Sequence, residues 1–559
     1  MLKLGFLLSL YCGLCALAAP EVRLGGATII GRDIGGSNVD FFGGKAPLPT
    51  VYDHGIPFAE PPVGRLRFRS PVIKTRLDVQ RFDASEYGNA CLQPLAAEMP
   101  GIAPQSEDCL TINIHRPAGT KRGAKLPVLF WVFGGGFVIG GSNIYNGSEI
   151  VARSVDRGTP VIYANLNYRV GPFGYPAGRE AQNRGELNLG LKDIITALKW
   201  VNENIDAFGG DKNKVTIFGE SAGAANIAIL YFNSGLEKLV RGVILESGFA
   251  NTAAILEASD REATWQTWVR AVPSCSNIAD SGNTFPCLQN ASEVEISEAY
   301  SNAFSVPDPT TWGPTVDGPR GLLPDIPSRL LKDGKFAKIP FIAGTNLDEG
   351  TFSGRLASQP GANDDIVRAV LVGFSSPSLD QPRLINAIER MLELYPDIPA
   401  LGSPYGTGEE LFGLPSAYKR LSALVGDIGF DSRRRQWMEA ATNKGVKGYG
   451  YLFIQPQPLD NPADGVEHFA EVAFVYGTPV DQSPSARRIS TRMMDYWISF
   501  AVNLDPNDSR GSERPAWPHY SRSNKVLLQL HGDNTTTIPD NYRQQGIEFS
   551  IANSIAFRR

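Results

Sequence analysis

The chain has 559 residues, of which 42% are hydrophobic and 20% charged, a composition typical of a soluble globular protein. With 53 basic and 58 acidic residues the formal net charge is only −5, so charge gives no reason to expect nucleic acid or an anionic membrane as a partner. Small, neutral ligands remain as the expected partners.

Residues 1–18 have the three parts of a secretion signal. Lys3 provides a basic start, an apolar run follows as far as Cys15, and Ala16-Leu17-Ala18 is a small-residue cleavage site. The alternative, a membrane anchor, would need an apolar run of roughly 20 residues, which is longer than this one. We therefore predict a secreted mature chain of residues 19–559 with no stable membrane anchor. Four sequons agree with a secretory route: Asn146, Asn290, Asn507 and Asn534.

Four cysteines remain after this cleavage: Cys91, Cys109, Cys275 and Cys287. An oxidising compartment favours disulfides over metal binding or free thiols. Four cysteines allow three pairings. Pairing of sequence neighbours would close two short loops, each worth ~3 kcal/mol in the loop-entropy model.

The predicted elements alternate between strands and helices, as in a doubly wound α/β protein. An antiparallel meander is predicted over residues 19–55, and an alternating strand over 111–115. A helix is predicted over 189–205, and helical insertions over 255–335 and 355–445 of one catalytic body. Continuous apolar runs predict buried parallel strands at 126–133, 160–166, 215–220, 243–248 and 340–344.

The strand predicted at 215–220 runs into Gly219-Glu220-Ser221-Ala222-Gly223. Gly-x-Ser-x-Gly between a strand and a helix is the pattern of a nucleophile elbow, in which a strained turn exposes the serine hydroxyl. The structural alternative is that Ser221 only caps a helix. Because the pattern is short, the partners of Ser221 must decide between the two.

Three glycines at 134–136 follow the strand predicted at 126–133. Glycines at such a position let backbone N–H groups approach a developing oxyanion closely. The backbone N–H groups of Gly135, Gly136 and Ala222 are therefore candidate oxyanion donors. The alternative is an ordinary break between a strand and a loop.

Candidates for a catalytic base are few, because only five histidines occur: His54, His115, His468, His519 and His531. The first two precede Ser221, whereas the α/β-hydrolase order is serine, acid, histidine. His519 and His531 have the surroundings of surface or packing residues, so His468 is favoured. Asp348 and Glu349 both follow the strand at 340–344, and the pattern alone does not decide which is the acid.

These motifs resemble, over nearly the whole mature chain, the type-B carboxylesterase and lipase family, which includes cholinesterases and secreted fungal lipases and esterases. The segments that carry the resemblance are 55–68, 106–113, 134–137, 167–171, 188–211, 219–224, 348–350 and the loop around His468. Several separate motifs in one order make the resemblance specific.

The resemblance implies an α/β-hydrolase fold with a catalytic triad of Ser221, Glu349 and His468. It also implies the oxyanion donors Gly135, Gly136 and Ala222. Two disulfides, Cys91–Cys109 and Cys275–Cys287, and two structural ion pairs, Arg67–Glu107 and Arg169–Asp193, are implied as well. The expected activity is serine carboxylic-ester hydrolysis of a small-molecule ester through an acyl-enzyme, for which no metal or cofactor is needed.

The loop from Cys91 to Cys109 departs from the lipases of this family. It encloses only 17 residues, three of them prolines, which leaves little room for a large lid, and it has no Trp to hold choline. We therefore predict short-chain or soluble esters as substrates. The alternative is a lipase or sterol esterase acting on long-chain esters. A non-catalytic binding protein of the same fold is a distant alternative, against which the intact triad argues.

Overall fold

The computed structural model describes residues 19–34, 38–43, 55–94, 101–233, 235–304, 311–375, 377–458 and 461–559. The predicted secretion signal at 1–18 and His54 lie outside the described residues. So do residues 44–54 of the predicted meander and residues 95–100 of the loop between Cys91 and Cys109.

The described strands are short at both ends of the chain and longest in its middle. In chain order they are β1 (Glu21–Leu24), β2 (Ala27–Ile30), β3 (Arg32–Ile34), β4 (Val39–Phe42), β5 (Ile56–Pro57), β6 (Arg81–Asp83), β7 (Thr111–Pro117), β8 (Leu126–Val132), β9 (Ile162–Leu166), β10 (Gly210–Glu220), β11 (Gly242–Glu246), β12 (Leu256–Glu257), β13 (Thr315–Val316), β14 (Phe341–Asn346), β15 (Gly448–Phe453), β16 (Val526–Leu530) and β17 (Thr536–Pro539).

The described α-helices lie between and beyond these strands. They are α1 (Ser148–Asp156), α2 (Gly171–Gly174), α3 (Gly178–Arg184), α4 (Leu189–Asn204), α5 (Ala222–Leu230), α6 (Glu262–Ala271), α7 (Phe285–Asn290), α8 (Glu293–Ala303), α9 (Pro327–Asp333), α10 (Thr351–Gly354), α11 (Asp364–Gly373), α12 (Gln381–Leu394), α13 (Ser416–Gly426), α14 (Ser432–Thr442), α15 (Val472–Val475), α16 (Pro484–Asn503) and α17 (Gln544–Ala552).

One large sheet organises the described chain, with strand order β17-β16-β15-β14-β11-β10-β8-β9-β7-β4-β3. The pairs from β9 to β16 are parallel, and the outer strands pair antiparallel. At the centre Ile217 lies opposite Phe130 on one side and Val243 on the other, and none of the three is exposed. A strand covered on both faces is apolar throughout, which is why continuous apolar runs predicted these strands.

Two helical regions lie where insertions are predicted, and each has its own apolar cluster. The first, with α6 to α8, packs around three tryptophans, Trp265, Trp268 and Trp312. The second contains α11 to α13, whose apolar side chains pack together. Between α13 and α14 the backbone passes through a π-helical turn at Asp427–Asp431, so the two helices form one rod with a single widened turn.

Two disulfides and two buried ion pairs hold the loops beside the sheet. Cys91 bonds to Cys109 and Cys275 to Cys287, the pairing that the resemblance implies. Arg67 Nε and Nη2 donate to Glu107 at 2.6 and 2.5 Å, and Arg169 Nε and Nη2 donate to Asp193 at 2.8 and 2.6 Å. Both pairs are bidentate, the geometry in which arginine holds a carboxylate best.

Each helix in the described part of the chain is too short or too polar to cross a bilayer.

Candidate active site

Four segments that carry polar residues meet at one edge of the sheet. Gly134 to Gly136 follow β8, Ser221 follows β10, Glu349 follows β14, and His468 lies in the connection after β15. These strands run parallel, so their carboxyl ends point the same way. Ligands in open α/β sheets bind at this edge.

Ser221 occupies a strained turn between β10 and α5. Its backbone has φ 53° and ψ −124°, a combination that a residue with a Cβ seldom adopts. The turn is held by Ser221 N–H, which donates to the Glu246 carbonyl at 2.9 Å. A Cβ at Gly223 would lie 2.1 Å from the Val132 carbonyl oxygen, so only glycine lets α5 approach β8 this closely. This backbone has the shape of a nucleophile elbow.

The hydroxyl of Ser221 faces a histidine instead of capping the helix. The side chain makes no cap hydrogen bond to α5. Ser221 Oγ lies 2.8 Å from His468 Nε2, and His468 Nδ1 lies 2.6 Å from Glu349 Oε2. The other carboxylate oxygen of Glu349 accepts from Asn346 N–H at 2.7 Å. A hydroxyl, an imidazole and a buried carboxylate are thus linked in one chain of hydrogen bonds.

Asp348, the second acid that the sequence pattern allowed, faces away from the imidazole. Its carboxylate accepts hydrogen bonds from Ser403 Oγ at 2.7 Å, Tyr405 N–H at 2.8 Å and Val466 N–H at 2.9 Å. Because Val466 is two residues before His468, Asp348 fixes the loop that carries the imidazole. The structure brings Glu349, and not Asp348, to His468.

The three residues whose backbone N–H groups are candidate oxyanion donors lie beside Ser221 in one pocket. Gly135 and Gly136 have φ of 101° and 62°, in the left-handed region that glycine adopts without strain. No residue in the described ranges accepts a hydrogen bond from either N–H. Ala222 is the first residue of α5, where helical geometry leaves the N–H without a partner. All three residues line the same pocket as Ser221.

A group of buried carboxyl groups lies behind the imidazole, and the sequence analysis gave them no role. Glu220 Oε1 is 3.2 Å from His468 Nε2. Glu471 accepts from Asn346 Nδ2 at 2.6 Å, and Glu246 accepts from Trp497 Nε1 at 2.6 Å. Burial raises the pKa of all three, that of Glu471 to about 7. The signals were present, since Glu220 lies inside the elbow motif and Glu471 three residues after His468.

The charge on His468 is set by two opposing effects. Burial disfavours the imidazolium, but the nearby Glu220 and Glu349 carboxylates outweigh burial and raise the pKa of His468 to about 9. A general base must be neutral to accept a proton. The fraction of His468 that can act as a base therefore increases as pH rises toward 9.

We expect Glu220→Gln to shift the pH profile of kcat/KM to lower pH. The wild-type value should rise with pH up to about 9, because His468 must lose its proton. Glutamine has nearly the shape of glutamate but cannot carry the charge that favours the imidazolium, so the pKa of His468 falls and the midpoint moves down. Initial rates from pH 5 to 10 measure this. Glu467→Gln changes a half-buried carboxyl of the same loop that makes no hydrogen bond to His468, so it is the control and should shift the midpoint less. An unchanged midpoint in Glu220→Gln contradicts the interpretation.

The three other described histidines do not contact Ser221. His115 is fully buried against Phe41, and burial lowers its pKa to about 3. His519 stacks on Tyr449 with ring centroids 4.6 Å apart. His531 accepts a hydrogen bond from Asp533 N–H within its own turn. These are the packing and surface positions that the sequence analysis assigned to His519 and His531.

A cavity of about 270 Å³ opens beside Ser221 and His468. The π-helical turn provides Ile428, Gly429 and Phe430 to its wall, and the Phe430 ring lies 4.8 Å from the imidazole. Its other apolar lining side chains include Phe137, Phe352, Leu371, Phe374, Val425 and Phe469. A larger groove of about 880 Å³, lined in part by Lys192 and Arg320, shares no residue with this cavity.

Comparison with known proteins gives one consistent family. The model of the carboxylesterase family matches residues 33–550. "Lipase 2" of Geotrichum candidum is 32% identical over 95% of this chain and 94% of its own length. "Secreted triacylglycerol lipase LIP1" of Gibberella zeae is 32% identical over 96% of this chain and 91% of its own.

A solved structure, Aspergillus niger EstA, superposes with a TM-score of 0.80 at 26% identity, covering 97% of this chain and 99% of that one. This likeness, together with the mostly parallel sheet, confirms the α/β-hydrolase prediction. The family resemblance inferred from the motifs is confirmed as well. The chain therefore belongs to the carboxylesterase family and is a carboxylic ester hydrolase.

Proposed function

We propose that this chain is a secreted serine esterase whose nucleophile is Ser221, whose general base is His468 and whose orienting acid is Glu349. The observation that carries the proposal is the pair of contacts at 2.8 and 2.6 Å that links the hydroxyl through the imidazole to the carboxylate. A serine hydroxyl is a weak nucleophile unless a base removes its proton, and the base needs a fixed tautomer. The arrangement supplies both requirements.

Hydrolysis then proceeds in two half-reactions. His468 Nε2 takes the proton of Ser221 as Oγ bonds to the ester carbonyl carbon, and returns it to the leaving alkoxide as the ester C–O bond breaks. Water enters, His468 takes one of its protons, and the hydroxide oxygen bonds to the acyl carbon. The Ser221 Oγ–acyl bond breaks, the proton passes to Oγ, and a carboxylic acid leaves. Glu349 stabilises the imidazolium of each half-reaction.

The N–H groups of Gly135, Gly136 and Ala222 are the proposed oxyanion donors. Each half-reaction places negative charge on the carbonyl oxygen, and preorganised donors lower the energy of that state most. Two observations support this role: no acceptor for these N–H groups occurs among the described residues, and Ala222 lies at the start of α5, where the helix dipole is positive.

Short-chain or soluble esters are the proposed substrates. The proposed enzyme is a single catalytic body of residues 19–559 that the cell releases into the medium. The cavity of about 270 Å³ is slightly smaller than the roughly 300–1,000 Å³ typical of ligand pockets. The loop from Cys91 to Cys109, with 17 residues between the two cysteines, agrees with a site that has no large lid.

Action on long-chain esters is the second candidate, and two observations favour it. Relatives over nearly the whole chain are named lipases. Phe352 and Phe469 line the cavity and are still 37% and 39% exposed, which gives its mouth an apolar rim.

An acyl-length series decides between these candidates. Protein recovered from the medium of an expressing host, with its N-terminus read by sequencing, should hydrolyse a butyrate ester with a higher kcat/KM than a stearate ester. It should also show no rate increase when tributyrin passes its solubility limit. A strong preference for emulsified long-chain triglyceride would favour the lipase, and the Ser221→Ala protein measures the background hydrolysis.

A further inference from the structure

A buried guanidinium shares the cavity with the nucleophile. Arg559 lines the same cavity as Ser221 and His468, and only 4% of its surface is exposed. The ester hydrolysis proposed above uses no cation other than the His468 imidazolium, so the mechanism leaves this side chain without a role.

The hydrogen-bonding capacity of Arg559 is largely unused. Among the residues that the structure describes, its guanidinium donates one hydrogen bond, from Nη2 to the Phe374 carbonyl at 3.2 Å. Its Nε is buried and has no hydrogen-bond partner among the described residues. A guanidinium carries five N–H donors. The single contact caps the carboxyl end of α11, which explains one of the five donors.

No Asp or Glu side chain of the described residues forms an ion pair with Arg559. Its neighbour Arg558 pairs with Asp260, whereas Arg559 makes no ion pair in the described part of the chain. Arg433 is a second buried arginine, and burial together with the nearby charge of Arg559 lowers the pKa of Arg433. Among the described residues Arg433 donates only to neutral oxygens, such as Ser550 Oγ and Ser554 Oγ. Burial lowers the pKa of Arg559 to about 10, so it remains charged at neutral pH.

The two ends of the cavity therefore differ in charge. Glu220 lies at the catalytic serine and histidine, whereas Arg559 lies beside Phe374, which also lines the cavity. Burying an unpaired charge is costly, and a ligand that brings an opposite charge recovers that cost. A purely apolar acyl chain leaves the charge unpaired, and an anionic group satisfies it.

From this juxtaposition, and resting on the proposed function, we infer that Arg559 binds a carboxylate on the substrate and makes the enzyme selective for esters that carry a second, negatively charged group. The anion belongs either to the acyl part, as in a monoester of a dicarboxylic acid, or to the alcohol part, as in an ester of a hydroxy acid. In both cases the ester carbonyl lies at Ser221 while the carboxylate reaches Arg559.

Two matched substrate series test the inference. One compares monoethyl esters of linear dicarboxylic acids with ethyl esters of monocarboxylic acids of equal length. The other compares acetates of ω-hydroxy acids with acetates of n-alkanols. In one series, at the length that spans the cavity, we expect the anionic ester to have a roughly 10–100-fold higher kcat/KM, the effect of a charged hydrogen bond in a buried site. If the uncharged ester had the higher kcat/KM at every length in both series, the inference would be overturned.

Arg559→Met removes the charge and keeps most of the side-chain length. We expect the ratio of kcat/KM between the anionic and the uncharged ester of equal length to fall toward one in Arg559→Met, and Arg559→Lys to retain part of the preference. Arg558→Met is the matched control, since Arg558 is buried beside it but pairs with Asp260 and does not line the cavity. A preference that survives Arg559→Met would overturn the inference.

A measurement on the wild type covers the case in which Arg559→Met does not fold. Free dicarboxylates should inhibit hydrolysis of an uncharged short ester competitively, at concentrations at least about 10-fold lower than monocarboxylates of equal length. Equal inhibition would contradict the role of Arg559. Failure of the proposed function would give a different result, because the esters of neither series would then be hydrolysed.

Discussion

Ser221→Ala is expected to lower kcat on any ester by a factor on the order of 10⁶. His468 Nε2 lies 2.8 Å from the Ser221 hydroxyl. Removal of this hydroxyl leaves the imidazole with no nucleophile to activate. What remains is binding in the cavity and the oxyanion donors, which act on water without an acyl-enzyme. Labelling of the protein by a fluorophosphonate should disappear with the same substitution.

Ser353→Ala is the matched control for that experiment. Ser353 is buried on α10, close in sequence to Glu349, and its hydroxyl has no hydrogen-bond partner in the described part of the chain. It should keep wild-type rates and labelling, and the melting temperatures of both variants show whether they fold. A folded wild type that the fluorophosphonate leaves unlabelled would contradict the assignment of Ser221 and favour a non-catalytic binding protein.

Glu349→Gln is expected to lower kcat on the order of 10⁴, with little change in KM. The carboxylate of Glu349 lies 2.6 Å from His468 Nδ1 and is completely buried. An amide cannot stabilise the imidazolium, and its NH2 group can favour the wrong tautomer of the imidazole. Steady-state kinetics on a soluble ester at pH 9 measure the loss.

Asp348→Asn is the companion variant, since Asp348 is the neighbouring acid and is equally buried. Its carboxylate accepts three hydrogen bonds but none from His468, so one donor would face the new amide NH2 group. We expect about 1–3 kcal/mol less stability and a kcat within roughly 10-fold of the wild type. If Asp348→Asn lost as much kcat as Glu349→Gln, Glu349 would not be the orienting acid.

The sequence predicts most of what depends on local pattern. Continuous apolar runs define β8, β9, β10, β11 and β14, although β10 begins at Gly210 rather than 215, because its first residues are exposed and polar. The elbow is predictable because its glycines are required by steric contact, as at Gly223. The choice between Asp348 and Glu349 is not, since both follow the same strand and only the tertiary direction of each carboxylate separates them.

The remaining site residues depend on distant parts of the chain. Glu246 and Glu471 reach the catalytic edge from β11 and from the loop before α15, and no local pattern joins them to His468. Arg559 lies 338 positions after Ser221, by their residue numbers, and its segment is held in place by contacts such as the hydrogen bond from Ile255 N–H to the carbonyl of residue 558. Such placements follow from packing between elements, which motif spacing does not encode.

The π-helical turn at Asp427–Asp431 makes the length of one helix a determinant of the shape of the cavity. A π turn holds one residue more than an α turn, and each α-helical residue rotates the chain by about 100°. Deleting a single residue here would restore regular geometry and rotate α13 against α14, so Phe430 would no longer face His468 while Val425 kept its place. The proposed catalytic residues lie on other segments and would be untouched. A one-residue length change in this helix is therefore a route by which a chain of this family can alter its substrate cavity without altering its chemistry.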